Sequence, residues 1–423
     1  MTEIKKEKNK TMPKVYAFLV FLSLSGIYLM PEKIKVFVAI FVFGLFLYFV
    51  FYNAPFKFNK QNVAIIVYML IGIISNIINK DIAFLTMINF VISIVIAILV
   101  LSINVDVYTA QCLTKAFVGV MCIVVLGCLL QLFFPSLLLK FNKLTLGEEK
   151  YFIFYDSFFQ YDFLVGFSYQ TGVTGYYLAL LAGYFLSCVF ANIDTTDIWK
   201  KIAYILGFAI TFILLFLTAK RIEMIVIFLA FFVMLYLYER NRPAKVIGII
   251  IAFIFAVLIL LLTTEMGRRL IERTFGDNPT SGRSKIYSLV WSYFIRKPLF
   301  GNGFGSTIIY VKDFTNGHNI YLQSLMEAGI VGGIALIIAL FKHAKIGLYV
   351  TKNIKKLDIK DKAISGFFLF VMLNFFVTGL LSNPLYDIYP LFGYAIAVSI
   401  MQAYSRSINK PGIQTREVLY GHN

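Results

Sequence analysis

Charge is scarce in this chain. Only 14% of its 423 residues are Asp, Glu, Lys or Arg, against about a quarter in a soluble globular domain. The shortage falls mainly on the acids: 22 Asp+Glu face 39 Lys+Arg, a formal net charge of +17. So few charges exclude a string of water-soluble domains, and a 60% hydrophobic content excludes disorder, which requires low hydrophobicity. Metal ligands are scarce too, with 4 cysteines and 3 histidines. There is no CxxC pair. Cys112, Cys122, Cys128 and Cys188 all lie in or beside apolar runs, where cysteine acts as a small buried hydrophobe. Neither a disulfide framework nor a metal site nor a cofactor is expected. Fixed-period repeats and Pro/Gly/Ser-rich linkers are also missing, so one polytopic membrane domain over residues 1–423 is expected.

What is abundant is long apolar runs. A bilayer-crossing helix needs about 20 consecutive apolar residues. Runs near that length predict an all-α integral membrane protein with about twelve transmembrane helices, at 15–30, 34–53, 63–79, 83–103, 116–134, 172–192, 199–218, 222–238, 245–263, 319–341, 364–382 and 386–404. Five lysines precede the first run and no small-residue cleavage site follows it, so the first run reads as a retained span, not a signal peptide. With both termini in the cytoplasm, 23 of the 39 basic residues fall on the cytoplasmic side. The short outer loops hold 5, and the rest sit in two long outer loops. Short loops follow the positive-inside rule, whereas long ones cross largely regardless of charge. The basic excess is thus explained by topology, and a nucleic-acid partner is not expected.

The two long outer loops are 135–171 and 264–318, the larger lying between spans nine and ten. The first is rich in aromatics, including Tyr151, Phe152, Phe154, Tyr155, Phe158, Phe159, Tyr161 and Phe163. Such a loop belongs at the membrane interface or folded onto the helices. The second carries two amphipathic patterns, at about 264–275 and 284–296. Ser281 or Ser284 is placed to cap the latter, and Pro298 lies beyond its end.

Basic residues that topology does not require stand out on the outer face. Lys220 and Arg221 occupy a three-residue turn between two spans. They could snorkel to lipid phosphates, Lys220 could pair with Glu223 at i,i+3, or both could serve function, as ionisable residues near membrane depth often do. Arg283 sits where a helix starts. The macrodipole disfavours a cation there, yet a helix N-terminus beside a guanidinium is an anion-binding arrangement. The following Gly301-Asn302-Gly303-Phe304-Gly305 reads equally as a tight turn or a phosphate cradle. His318-Asn319 closes the loop, with His318 the one outer histidine and Asn319 a possible helix cap. His343 falls in the inner loop and His422 in the tail; neither is assigned a role. Asn319, Gln323 and Glu327 recur every four residues on one helical face, placing Glu327 roughly 12 Å below Asn319, where a carboxylate needs a partner or a wet cavity. Gly329 and Gly333 form a GxxxG pair suited to helix approach. Asn374, Thr378 and Ser382 form a second polar stripe leading to Asn383-Pro384 and Asp387. Arg and Lys at helix ends suit a phosphate or pyrophosphate.

Together, Thr280-Ser281-Gly282-Arg283, Trp291, Pro298-Leu-Phe-Gly-Asn-Gly-Phe-Gly305, His318-Asn-Ile-Tyr-Leu322 and Glu327-Ala-Gly-Ile-Val-Gly332, with Ala219-Lys220-Arg221 two spans earlier, resemble the O-antigen polymerase and O-antigen ligase superfamily. The resemblance covers about 280–333 plus that turn. It implies a GT-C-like, metal-independent glycosyltransferase of the bacterial cytoplasmic membrane with its site on the outer face. The donor would be an oligosaccharide on undecaprenyl pyrophosphate. Arg221 and Arg283, with Lys220, would bind the pyrophosphate and stabilise the leaving group. His318 would be the general base, and Asn319 and Glu327 would line the substrate site. Membrane lipid, a flippase and a chain-length regulator are the implied partners. A polymerase in O-antigen, capsule or exopolysaccharide synthesis leads a ligase acting on a lipid or protein acceptor. A twelve-span transporter ranks below both, because the repeat-related halves common in transporters are not visible.

Overall fold

The computed structural model describes residues 2–52, 60–79, 83–160, 162–192, 195–239, 243–275, 282–311 and 316–409. Every regular element among them is helical. In chain order the α-helices are α1 (Thr2–Leu29), α2 (Glu32–Tyr52), α3 (Val63–Ile78), α4 (Phe84–Ser102), α5 (Val107–Phe133), α6 (Pro135–Thr145), α7 (Glu148–Phe159), α8 (Thr171–Ala191) and α9 (Ile198–Leu217). They continue as α10 (Arg221–Glu239), α11 (Pro243–Thr263), α12 (Glu265–Phe275), α13 (Arg283–Arg296), α14 (Ser306–Tyr310), α15 (Ile320–Lys352), α16 (Ile359–Thr378) and α17 (Ile388–Ile408). Among the described residues seven are long and apolar enough to cross a membrane: α4, α5, α8, α9, α10, α15 and α16. The chain is an all-helical, multi-pass membrane protein.

Both amphipathic patterns of the second long loop are helices, α12 and α13. The cap of α13 is Gly282 rather than Ser284, while Ser281 and Thr280 lie outside the described residues, as do Tyr161 and His422. The aromatic loop contains two helices that the sequence reading did not anticipate, α6 and α7. Phe154 is buried, whereas Phe152, Tyr155 and Phe159 are exposed. Helix α15 runs past the predicted end at 341. Its C-terminal half is amphipathic, with Ala339, His343, Ile346 and Val350 buried at helical spacing, so an apolar-run criterion stops too early. His343, expected in a loop, is buried in this helix with its Nδ1 3.0 Å from the Tyr394 hydroxyl.

Two compact units make up the chain, each assembled from three separate stretches. The first comprises 1–54, 105–272 and 354–370. In it α8 packs against α5, α9 and α10, and Gln131 near the end of α5 ties down the return of the aromatic loop. The Gln131 carbonyl accepts from Val165 N and Gly166 N, both at 2.8 Å, and its amide donates to Phe163 O at 2.8 Å. The second comprises 55–104, 273–353 and 371–423. There α15 packs against α3, α13 and α17, and α17 packs against α4.

The second unit is organised around an interruption in α15. Gly329 has φ 67° and ψ −172°, which breaks the helix. Backbone groups freed at membrane depth must be satisfied by protein. Segment 298–303 does this. Ile330 N donates to Pro298 O (2.8 Å) and Val331 N to Leu299 O (3.3 Å), while Asn302 N donates to Met326 O (2.8 Å) and Gly303 N to Glu327 O (2.8 Å). The approach needs bare glycine on both sides. A Cβ on Gly301 would fall on the backbone at Glu327 and Gly329, and one on Gly329 would fall on the Leu299 carbonyl. The GxGxG run is therefore a backbone clip. Two of the N–H groups that a phosphate cradle would need already bond α15. The GxxxG reading changes as well: Gly329 meets this loop, Gly333 lies against Leu325 of its own helix, and Gly332 is the glycine near Tyr68 and Ile71 of α3.

Helix α3 holds the other side of the clip. Asn76 bonds both backbone groups of Phe304, accepting from N at 2.7 Å and donating to O at 2.9 Å. Asn79 donates to Gly301 O at 3.1 Å and accepts from Lys297 Nζ. The fully buried Phe304 ring fills the notch left by Gly72 and meets the edges of Tyr68 and Phe90 at centroid distances of 5.3 and 4.7 Å. Truncating such a ring costs about 3–5 kcal/mol. Phe304→Ala and Gly329→Ala are therefore expected to lower the thermal unfolding midpoint of the detergent-solubilised protein. Gly248→Ala, whose Cβ meets nothing within 4 Å, should not.

Candidate active site

Lys220 and Arg221 belong to the first unit, in the reversal between α9 and α10. The N–H groups of Thr218 and Ala219 fold back onto Leu215 O (3.0 Å) and Phe216 O (3.1 Å). Ala219 then adopts φ 55°, the left-handed conformation usually given to glycine after a helix C-terminus. A non-glycine residue there costs roughly 1–3 kcal/mol, which the buried surroundings of Ala219 sustain. The result is a very short turn that sets two cations at the start of α10, where the first N–H groups lack intrahelical partners. The stem of Lys220 passes over bare backbone of α8: a Cβ on Gly175 would lie 2.9 Å from Lys220 Cγ, and one on Gly172 would lie 3.7 Å from Nζ. Lys220, Arg221 and the buried Glu223 all have interaction partners.

The remaining predicted residues belong to the second unit. Arg283 is the first residue of α13, behind Gly282, which has φ 79° and open space around it. The cap residue itself is a glycine and offers no side chain to this helix start, and Gly282 and Ser284 both have interaction partners. A guanidinium there adds to the macrodipole's positive end, an arrangement that an anion would relieve. One turn further on, the half-buried Tyr287 feels the charge of Arg283, while burial raises its phenol above the ordinary value. The hydroxyl has one proton to give, and it lies within hydrogen-bonding distance of both His318 O (3.1 Å) and Leu380 O (3.3 Å), the former nearer. Tyr287 thus connects the Arg283-bearing helix to the histidine. The sequence reading missed it; its i+4 spacing from Arg283 was the available signal.

His318 has φ 49°, a left-handed conformation uncommon outside glycine although more accessible to histidine than to most residues. Its N–H donates to Asn316 Oδ1 at 3.1 Å. Next to it Asn319 caps α15. Its Oδ1 accepts from Tyr321 N and Leu322 N, both at 3.0 Å, and its Nδ2 donates to Leu380 O at 3.0 Å. Ile320 N donates to Gly379 O at 2.9 Å, so the segment is fastened to the end of α16 at several points.

Glu327 lies below, fully buried. Its Oε1 accepts from Thr307 Oγ1 at 2.7 Å and Gln323 Nε2 at 3.0 Å, and the buried Tyr386 hydroxyl also faces the carboxyl. Of the second polar stripe, Thr378 turns onto its own helix, bonding Asn374 O at 2.7 Å. It is Asn383 that reaches across, donating to Gln323 Oε1 at 2.6 Å. Among the described residues no group of three His, Cys, Asp or Glu side chains is placed to hold a metal.

The predicted site residues all fall between 220 and 327. Residues 206–337 match the family model for O-antigen ligase. That stretch runs from within α9 into α15 and so contains both cation-bearing helix starts, the strained histidine and the glycine clip. The match supports the resemblance to the O-antigen polymerase and ligase superfamily and a function of the O-antigen ligase or polymerase type. No curated protein matches the chain. Within the O-antigen-ligase-type stretch, the cap of α15 gives a direct check. Losing an Asn cap costs about 1 kcal/mol. Asn319→Ala should lower stability by about that amount, and Asn319→Asp, which keeps the accepting oxygen and loses only the bond to Leu380, should lose less. Chemical unfolding in mild detergent measures both.

Proposed function

We propose that the chain is a polysaccharide polymerase. It transfers a glycan from undecaprenyl pyrophosphate onto another lipid-linked repeat unit at the outer face of a bacterial cytoplasmic membrane. About twelve spans with both termini cytoplasmic would put the 264–318 loop on that face. The observation that carries the reading is Tyr287, which joins the strained backbone of His318 to the Arg283-bearing first turn of α13 within the family-matched stretch.

The chemistry follows from these groups. The acceptor hydroxyl oxygen attacks the anomeric carbon of the donor, the bond from that carbon to the pyrophosphate oxygen breaks, and the electron pair leaves with the lipid pyrophosphate. Arg283 would bind that pyrophosphate and stabilise the charge gathering on it; the resemblance implies the same role for Arg221 and Lys220. His318 would take the acceptor proton in its neutral form. Asn319 would line the substrate site. A flippase would supply lipid-linked units and a chain-length regulator would set how many are joined. The family description, O-antigen ligase, favours a second reading in which the finished glycan passes to a lipid or protein acceptor.

Purified protein incubated with lipid-linked repeat units alone should produce a ladder of longer lipid-linked glycans. A ladder that needs a second acceptor would mark a ligase. No transfer under either condition would sink both. Arg221→Ala, Arg283→Ala and His318→Ala should each slow transfer by roughly 100-fold or more while still inserting and eluting as folded protein. Unchanged product length with Arg283→Ala would remove that residue from the pyrophosphate site.

A further inference from the structure

A side-chain relay descends from the histidine into α15. Glu327 Oε1 accepts from Gln323 Nε2 at 3.0 Å and from Thr307 Oγ1 at 2.7 Å. This fixes which end of the Gln323 amide faces down. The other end, Oε1, then accepts from Gly317 N at 2.8 Å and from Asn383 Nδ2 at 2.6 Å. Flipping the amide would set its NH2 against two donors and its oxygen against the Glu327 oxygen, so the orientation is over-determined. Gly317 lets the side chain this close: a Cβ there would lie 3.0 Å from Gln323 Oε1 and 3.1 Å from its Cβ. The residue thus gripped immediately precedes His318, whose φ of 49° persists only while its surroundings hold it. Its own N–H is bound to Asn316, and its carbonyl is bound by Tyr287. All of these groups belong to one compact unit.

We propose that Gln323 is the positioning residue that holds His318 in its left-handed backbone conformation, and that Glu327 orients the Gln323 amide rather than touching substrate. The role of the orientation in transfer rests on His318 being the base. The holding of the backbone does not depend on that reading.

The proposal separates hydrogen bonding from charge at 327. In Glu327→Gln the amide oxygen still accepts from Thr307 and Gln323, so kcat should stay within about threefold of the parent. In Gln323→Glu a second carboxylate faces the Glu327 oxygen and the relay is broken. A displaced catalytic group typically costs roughly 100-fold. Here the loss should appear in kcat with KM little changed. The double variant Gln323→Glu/Glu327→Gln restores every bond: Glu at 323 accepts from Gly317 and Asn383, while the amide nitrogen at 327 donates to it and to Thr307, whose hydroxyl can accept. It should recover activity.

Amide hydrogen exchange at Gly317, followed by mass spectrometry on the full-length protein in detergent, reads the holding without reference to activity. Exchange should speed up in Gln323→Glu and return toward the parent rate in the double variant. Glu327→Gln and the double variant both inactive, with exchange unchanged, would mean that the carboxylate itself is needed and would overturn the proposal. Parent-like kcat and exchange in Gln323→Glu would overturn it too. His318→Ala is assayed alongside: full activity there removes the base assignment, while the exchange results still decide whether Gln323 holds the segment. If Gln323→Glu does not fold, the isosteric Glu327→Gln keeps the test, since activity loss in it alone refutes an orienting role.

Discussion

A backbone group shut away from water has to find its hydrogen-bond partner inside the protein, and this requirement organises the second unit. Helix α15 gives up its regular bonding at Gly329, and the freed groups on either side are met by segment 298–303. That segment and the Phe304 just after it leave carbonyls and an amide to be met, and Asn76 of α3 and Asn79 at its C-terminal cap do so. The break, the loop and the two asparagines are a single closed set of bonds. Removing one member strands the others in a setting where an unmet polar group is worth several kcal/mol.

The site inherits its rigidity from the same arrangement. Glu327 lies two residues before the break, and its backbone carbonyl is bound by Gly303 while its side chain orients Gln323. The N-terminal end of α15 is fastened to the end of α16 through Ile320 and Asn319. His318 is therefore held between a helix that is anchored below and a tyrosine that is anchored to α13. In the first unit, Ala219 plays a comparable part for the two cations beside it: a left-handed residue, buried, forces the chain to reverse before Lys220 and Arg221. Both places use non-glycine residues in a conformation that normally selects glycine, and both sit within the family-matched stretch.

Much of this was readable in the chain, and the reasons for the rest are physical. Apolar runs mark helices well because a lipid-facing surface tolerates little else, and the amphipathic spacing of Ile286, Leu289, Val290 and Tyr293 marked α13 to within a residue. The C-terminal half of α15 was shortened because lysines on its exposed face interrupt the run, although the buried face continues at helical period. The clip between 298–303 and 326–331 was not readable, because backbone-to-backbone bonds leave no side-chain signature except the glycines that permit them. The two-unit organisation was hidden for a similar reason: each unit gathers three stretches of sequence, so no change of composition marks a border. Of the site, the residues that carry charge or a ring nitrogen were legible as types out of place. Tyr287 and Gln323 were not, since a tyrosine on an amphipathic helix and a glutamine on a polar stripe look ordinary until their partners are known.

Phe304 and Gly72 deserve to be considered as one object. The ring occupies the space that any side chain at 72 would take, and both backbone groups of Phe304 are pinned by Asn76 one turn further along α3. The ring therefore has no freedom to move aside. Among descendants of such a chain the two positions would be expected to change only together, a larger residue in α3 accompanied by a smaller one in the loop. Two sites in widely separated parts of the gene would then drift as a linked pair, bound by volume rather than by charge or chemistry.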